Sequence, residues 1–576
     1  MKAVSGFVAR HERKLILLLC AIAALRVFTF CAAFPFFNNV DEQAHLDLVM
    51  KYARADVPRD LGHYSSESAN SIALYGSPEY FMAPGQFATN DFPPPNWTLP
   101  VEQRENVVER NSAWWRSNEN HESGEPPLYY GIAGLWLNLG RAMGVNGGWL
   151  FYWVRLLNVF VAATMVWVGY VAAKLVFPDR EFMRLSVPLL LAIWPQKTFY
   201  SIQSDSFSAL WFGIAFVGLV KLLQTERAPL SLAICTGLAL AATCLVKTAN
   251  LALFLVVGLT FMFKIRDASH GKRLGKALAT LAVLLVSAAV PIALWFAWNV
   301  HTFGDLTATA SKIDFLGWTR KPVNNWLPHP IFTLNGLKEF WPELMASFWR
   351  GEFIWHGKRL AFQTSDAFYW ISSTLAIAVA LIILFPRLTQ LTIFQRESLC
   401  LAAASFVVLV LFVVLLSIAF DFGLCPYPSR EHPYFTSGRL LSAAAVPFFL
   451  LYAEAFDCVL SRIPRDWPKT ILFAGLVLFI VGSQGALDRL AFSSRYNSFH
   501  LNEVNHEARF NSLTSPQPSA FPVYGGFVSR SVLAASSVPP ANASDRVGMG
   551  NVGRPNERRK DLSSRFASSM SNQCNR

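Results

Sequence analysis

The feature that most constrains this chain is a series of apolar stretches, several longer than about 18 residues and nearly free of charge. A run of that length covers the hydrocarbon thickness of a bilayer as a helix, and a helix satisfies its own backbone in lipid. The runs do not alternate, so they do not read as the strands of a membrane barrel. Composition agrees. Of 576 residues, 53% are hydrophobic and only 15% charged, against roughly 25% charged in a soluble domain. The sequence therefore predicts an all-α polytopic membrane protein and excludes a disordered chain.

The formal charge of +12 raises the question of nucleic acid. No zinc-finger spacing, helix-turn-helix or RNA-binding signature accompanies it, so no nucleic-acid partner is expected. Lys and Arg gathered in cytoplasmic loops account for the excess. Eight cysteines stand at 20, 31, 235, 244, 400, 425, 458 and 574, mostly inside apolar runs and without a CxxC. Neither a disulfide framework nor a structural metal is expected from them.

The first run, 15–37, follows a basic start (Lys2, Arg10, Arg13, Lys14). A cleaved signal peptide has the same flank, but about 23 apolar residues reach across a bilayer. It is read as a retained span with its N-terminus in the cytoplasm. The short stretch 128–143 decides the topology. If it spans, the basic loops 174–184, 264–276 and 462–469 face outward. If it lies in the outer interface, those three loops and 221–227 and 387–396 all face the cytoplasm, as the positive-inside rule requires. The second arrangement predicts eleven spans: 15–37, 150–173, 185–201, 206–223, 229–246, 249–263, 277–298, 366–385, 399–420, 439–457 and 470–487. Its membrane domain is 1–487, with outer loops at 38–149 and 300–365. An outer extension, 488–531, follows, and then a polar tail, 532–576, read as disordered despite its basic Arg558–Arg559–Lys560.

Three acidic features fall on the predicted outer side. Asp41–Glu42 follow the first span, with His45 one helical turn on, and Asn38 or Asn39 is placed to cap that helix. A capped helical turn explains these residues, and so does a carboxylate held at the bilayer surface as a general base. The second is His121-Glu122-Ser123-Gly124-Glu125-Pro126-Pro127-Leu128-Tyr129-Tyr130, whose tyrosines, with Trp136, suit a headgroup layer. The third is Asp205, either a cap of the 206–223 span or a site acid. Lys247, Arg350 and Arg439 gather near the same face, suited to headgroups or to a lipid phosphate. Arg26 lies within the first span and needs a partner, for which Glu454 is a candidate. No P-loop and no GxSxG elbow is present.

In order and sidedness these motifs resemble the GT-C class of integral-membrane glycosyltransferases, including the protein mannosyltransferase and aminoarabinose transferase branches. The residues concerned are Asp41–Glu42, Glu125-Pro126-Pro127-Leu128-Tyr129-Tyr130, Arg155-Leu156-Leu157-Asn158 and Asp205. More closely the chain resembles a bacterial branch of predicted membrane proteins, through Asp41, Glu42 and His45, Ser347-Phe348-Trp349 and Gly438–Arg439. It departs from relatives in carrying Glu125 where His or Lys precedes the Pro pair, and Leu440 where Tyr follows Gly-Arg.

The resemblance implies an inner-membrane enzyme that transfers a sugar, with inversion, from a polyprenyl-phosphate donor to an acceptor hydroxyl on the periplasmic face. Asp41 and Glu42 would be catalytic, Asp41 as the base. His45, Glu122, Glu125, Tyr129, Asp205, Lys247, Arg350 and Arg439 would bind substrate, with Arg439 on the phosphate. A divalent cation, Mg or Mn, would sit on Asp41 and Asp205 if the enzyme uses one. The acceptor is left open. Two other functions fit a chain of this kind, a transporter or flippase of lipid-linked glycans and a polysaccharide polymerase or ligase.

Overall fold

The computed structural model describes residues 2–39, 41–79, 92–225, 228–268, 273–355, 358–385, 390–423, 428–463 and 466–502. The tail 532–576, with Arg558–Arg559–Lys560, and most of the 488–531 extension lie outside these residues. Eighteen α-helices are described. The first five are α1 (Lys2–Ala33), α2 (Glu42–Ala53), α3 (Ser66–Tyr75), α4 (Val101–Ser117) and α5 (Pro127–Ala142). Then come α6 (Gly147–Arg155), α7 (Leu157–Val176), α8 (Glu181–Ile193), α9 (Asp205–Gln224), α10 (Leu230–Val246), α11 (Phe254–Ala268) and α12 (Arg273–Phe303). The last are α13 (Ala310–Phe315), α14 (Leu334–Arg350), α15 (Gln363–Ile383), α16 (Ile393–Ala419), α17 (Ala445–Leu460) and α18 (Asp466–Ser493). Among the described residues, strand is confined to two antiparallel pairs, Thr319–Arg320 with Phe420–Asp421 and Ile354–Trp355 with Lys358–Arg359.

Among the described residues, nine helical segments are long and apolar enough to cross a membrane, and α10 is a shorter apolar helix of 17 residues. The chain is an all-α polytopic membrane protein. One predicted span is cut short. The 185–201 stretch is helical only to Ile193, because Pro195 disfavours the α conformation at Trp194. A four-residue 3-10 turn, Lys197–Tyr200, follows. The 128–143 stretch forms α5, which starts at Pro127, where the missing N–H costs nothing. It lies against α2 so closely that a Cβ on Gly134 would meet the Ala53 backbone at 2.8 Å.

The two ends of the bundle differ in chemistry. At one end, basic residues hold the helix termini together. Arg180 pairs with Glu454 at 2.6 Å and with Asp457, Lys469 also meets Asp457, Arg184 meets Glu12 at 3.0 Å, and Arg266 meets Glu397. This corrects the Arg26–Glu454 pairing read from sequence. Arg26 instead donates to the Tyr200 hydroxyl (2.6 Å) and to Gln484 (3.2 Å), while Glu454 belongs to this opposite end. The two residues are on helices of opposite direction, and their positions along the sequence do not reveal their depths.

The other end gathers the acidic motifs, and its scaffold is an aromatic core around α14 and α17. Trp194, Phe348, Trp349, Phe448 and Phe449 pack with ring centroids about 5–6 Å apart. Here the two late motifs interlock. Ser347 Oγ accepts from the Gly438 N–H (2.9 Å) and donates to the Thr436 carbonyl (2.6 Å). A Cβ on Gly438 would stand 2.0 Å from the Phe348 nitrogen, so only glycine fits, and this contact fixes where Arg439 begins. Gly438→Ala should therefore destabilise the protein by about 1–3 kcal/mol, the usual cost of overpacking. Gly258→Ala, with open space at its Cβ, should melt at or slightly above the wild-type temperature. Thermal unfolding of both variants in detergent compares them, and equal melting points would mean that the contact is unimportant.

Candidate active site

The site starts from the exit of α1. After Ala33 the chain turns through Phe34–Asn39, with Phe37 in the left-handed region at φ 61°. Asp41 is also left-handed, at φ 64°, a conformation that Asp tolerates better than most residues. It holds the cap position of α2, but its side chain makes no cap bond. The cap position thus belongs to Asp41 and not to Asn38 or Asn39, the candidates in the sequence. Asn39 turns its amide to Ser201 Oγ at 2.9 Å. The Asp41 carboxylate is left facing the other motifs.

Glu42 points the other way. Its Oε1 accepts from Arg155 Nε (2.7 Å) and the Ile202 N–H (2.9 Å), and its Oε2 from Arg155 Nη2 (2.7 Å) and the Phe37 N–H (2.9 Å). Arg155 also donates to the Cys31, Phe34 and Pro35 carbonyls at the end of α1. Both residues are essentially inaccessible. Of the two carboxylates proposed as catalytic, only Asp41 has an open face.

Asp41 lies between two cations. Arg439 Nη2 donates to its Oδ2 at 2.9 Å, and His121 Nε2 lies 3.4 Å from its Oδ1. His121 Nε2 is also 3.3 Å from Glu122 Oε1, and its ring stacks on Phe315 of α13 at 5.9 Å. From the same helix, Lys312 Nζ reaches both Glu122 oxygens at 2.8 Å and Glu125 Oε1 at 3.2 Å. Asp205, in the first turn of α9, gives Oδ1 to Lys247 Nζ at 2.6 Å. Glu352, just beyond α14, has Oε2 3.8 Å from Arg439 Nε. α13 thus brings the second large loop onto the first, and Glu352 brings its far end to Arg439.

Electrostatics follow from this geometry. Burial acts to raise the Asp41 carboxyl, but the His121 hydrogen bond and the charges of Arg439 and His121 hold it well below the usual range. Burial acts to lower His121, but its bonds to Asp41 and Glu122 win and raise it to about 9, making it an imidazolium at neutral pH. Glu122 is held well down despite burial, by Lys312 and His121. Glu125 is raised by burial, only partly offset by Lys312. His45 is pushed by burial to about 4, against the fields of Glu122 and Asp41, and stays neutral. Its Nδ1 bonds the Tyr130 hydroxyl at 2.7 Å.

The structure does not bring every sequence-derived residue into this group. Arg350 forks onto Asp366 (2.7 and 2.9 Å) instead. Tyr129 and Tyr130, read from sequence as headgroup-layer residues, are buried, and Tyr129 packs edge-on against Phe207 at 5.2 Å. Among the described residues, the group whose ligand atoms lie within 4.8 Å of one another, close enough to share a metal ion, is Asp41, His121 and Glu122. Asp205 is not in it. Lys312 and Glu352 escaped the sequence reading. Glu352 stands two residues past Arg350, in a stretch notable in the sequence only for that arginine, while Lys312 carries no signal beyond its loop.

The raised His121 gives a stability signature. An unfolded His titrates near 6.5, so the folded state gains its full contribution below that pH and loses it as pH rises through about 9. The contribution is about 3 kcal/mol. The melting temperature should fall between roughly pH 7 and 10, and His121→Gln should remove most of that slope. An unchanged slope in the variant would show that His121 is not the imidazolium described.

Comparison with known proteins adds the following. No curated protein matches the sequence. Among solved structures, the chain is similar to the archaeal oligosaccharyltransferase AglB from Archaeoglobus fulgidus in complex with an inhibitory peptide and a dolichol-phosphate. That match has 12% identity and TM-score 0.38, over 84% of this chain and 56% of that one. The Archaeoglobus fulgidus oligosaccharyltransferase in complex with Zn and sulfate matches at 12% identity and TM-score 0.37, over 82% and 53%. ArnT from Cupriavidus metallidurans, bound to undecaprenyl phosphate, matches at 11% identity and TM-score 0.32, over 87% and 88%. The chain spans about half the length of the two oligosaccharyltransferases. The family model described as "Predicted membrane protein (DUF2142)" matches residues 25–423, which include every residue of the acidic site except Arg439. The chain belongs to that family of predicted membrane proteins.

Proposed function

We propose that this protein is a membrane glycosyltransferase, moving a sugar from a polyprenyl-phosphate donor to an acceptor hydroxyl on the periplasmic face of a bacterial inner membrane. The observation that carries this reading is Asp41, an open-faced carboxylate on left-handed backbone, paired with one arginine and one imidazolium at the end of a membrane bundle. The opposite end carries Arg180, Arg184, Arg266 and Lys469, the sign expected of a cytoplasmic side, which supports placing the site outside.

In this reading the donor phosphate takes Arg439 from Asp41. A carboxylate held as low as Asp41 is a weak base, and general bases work best near the operating pH. Losing the guanidinium raises its basicity when substrate is in place. Asp41 then accepts the acceptor's hydroxyl proton, and the hydroxyl oxygen attacks the anomeric carbon opposite the phosphate. The bond from that carbon to the phosphate oxygen breaks, and the phosphate leaves with the electron pair, its charge met by Arg439. Attack from the opposite face inverts the configuration. Glu42 holds the entrance to α2 and does not touch substrate. Glu122 has an oxygen within 4.8 Å of the Asp41 carboxylate, and His45 follows Asp41 by one turn of α2.

Asp41, His121 and Glu122 offer oxygen and imidazole ligands that suit a divalent cation such as Mn, once the His121 proton is lost. Such an ion would supply Lewis-acid stabilisation of the phosphate.

Release of free polyprenyl phosphate from a radiolabelled polyprenyl-phosphate hexose, in membranes containing the protein, tests the reading without knowledge of the acceptor. Asp41→Asn should lower the rate by about 100-fold or more while folding is retained. Full activity in that variant would remove Asp41 from the role of base.

A further inference from the structure

Arg439 is surrounded by acids. Asp41 bonds it at 2.9 Å, Glu352 stands at 3.8 Å, and the field of Asp205 reaches it as well. Two oxygens of this ring have no hydrogen-bond partner, Asp205 Oδ2 and Glu352 Oε1. The Asp205 side chain is 1% exposed and that of Glu352 10%. A buried carboxylate oxygen without a donor is costly, so these two acceptors are suited to donors that arrive with a ligand. Lys247 holds Asp205 by its other oxygen, and Gly351 fixes the approach of Glu352. Gly351 is left-handed at φ 77°, and a Cβ there would lie 2.7 Å from Gln196 Oε1.

The acids also make the pocket a poor site for a bare phosphate. An anion reaching Arg439 is repelled by Asp205 and Glu352 unless it carries hydrogen-bond donors to them. In a glycosyl phosphate the sugar is attached directly to the phosphate, which places its ring substituents beside Arg439.

Resting on the glycosyltransferase reading, we propose that Asp205 and Glu352 form the sugar-recognising part of the donor site. They select a glycosyl group rich in hydroxyl or ammonium donors and reject one that bears a carboxylate. Glu352 is then a specificity determinant, and Arg439 supplies phosphate affinity.

Binding of four lipids to the full chain in nanodiscs tests this: a polyprenyl phosphate alone, and the same lipid carrying a neutral hexose, an amino sugar or a hexuronic acid. Glu352→Gln and Asp205→Asn keep the shape and remove the charge. Each should bind the bare lipid phosphate several-fold more tightly, since a repelling charge is gone. Each should bind the hexosyl lipid about tenfold more weakly, since a charged acceptor is lost. Wild-type protein should bind the hexuronosyl lipid at least tenfold more weakly than the hexosyl one. A greater loss for the amino sugar than for the hexose identifies an ammonium as the group recognised, and equal losses identify hydroxyls.

Shifts in the same direction for bare and glycosylated lipid would reduce both acids to a structural role and overturn the proposal. So would equal wild-type affinity for hexosyl and hexuronosyl lipids. If the hexosyl lipid binds equally well to wild type and to Arg439→Ala, the glycosyltransferase reading itself fails, and this proposal with it.

Discussion

Glu42 and Arg155 are 113 residues apart in sequence and meet in a two-pronged ion pair with almost no exposure to solvent. Arg155 Nη1 and Nη2 close the last carbonyls of α1. The carboxylate takes the Phe37 and Ile202 N–H groups as well as the guanidinium. One buried pair therefore ties the exit of α1, the entrance of α2, the end of α6 and the segment leading to Asp205. Taking two charges out of water is expensive, and only geometry this complete offsets it. Removing either partner leaves an uncompensated charge, at a typical cost of about 3–5 kcal/mol. Asp41 immediately precedes Glu42 in the chain, so its direction is set by a contact it does not make.

Around that anchor the charges alternate. Lys312 lies between Glu122 and Glu125, His121 between Glu122 and Asp41, and Arg439 between Asp41 and Glu352. Each cation holds a carboxylate ionised in a place where burial alone would neutralise it. Such a chain responds to a new anion. In the proposed reaction a phosphate that takes Arg439 would weaken the hold on Asp41, so that binding and activation of the base would be one event. The lysine and the aromatic ring that complete the chain come from α13, a helix of six residues in the second large loop. The site is closed by a part of the sequence far from the part that begins it.

The apolar runs made the helical bundle legible, because hydrocarbon thickness sets a length that composition reveals. Pro195 ended one predicted span early, and a hydropathy window passed over it. The acid pair after α1 was legible as a unit, but its division of labour was not. Neighbouring residues at a helix start point about 100° apart, and only the distant Arg155 decides which one is buried. Charge alone makes Glu454 a candidate partner of Arg26, and sequence gives no depth along antiparallel helices. Arg350 was read for its charge when Glu352, two residues on, is the one facing Arg439. Gly438 was a motif letter in the sequence. In the fold it is the place where two backbones come too close for a side chain.

In the proposed reaction lipid phosphate and Asp41 compete for one guanidinium. A cryo-electron microscopy structure of the chain with a non-hydrolysable polyprenyl-phosphate sugar analogue tests it most directly. The phosphate oxygens should lie on Arg439, with the 2.9 Å contact to Asp41 broken and the freed carboxylate facing the anomeric carbon. A bound lipid whose phosphate lies elsewhere, with the Arg439–Asp41 pair intact, would contradict it.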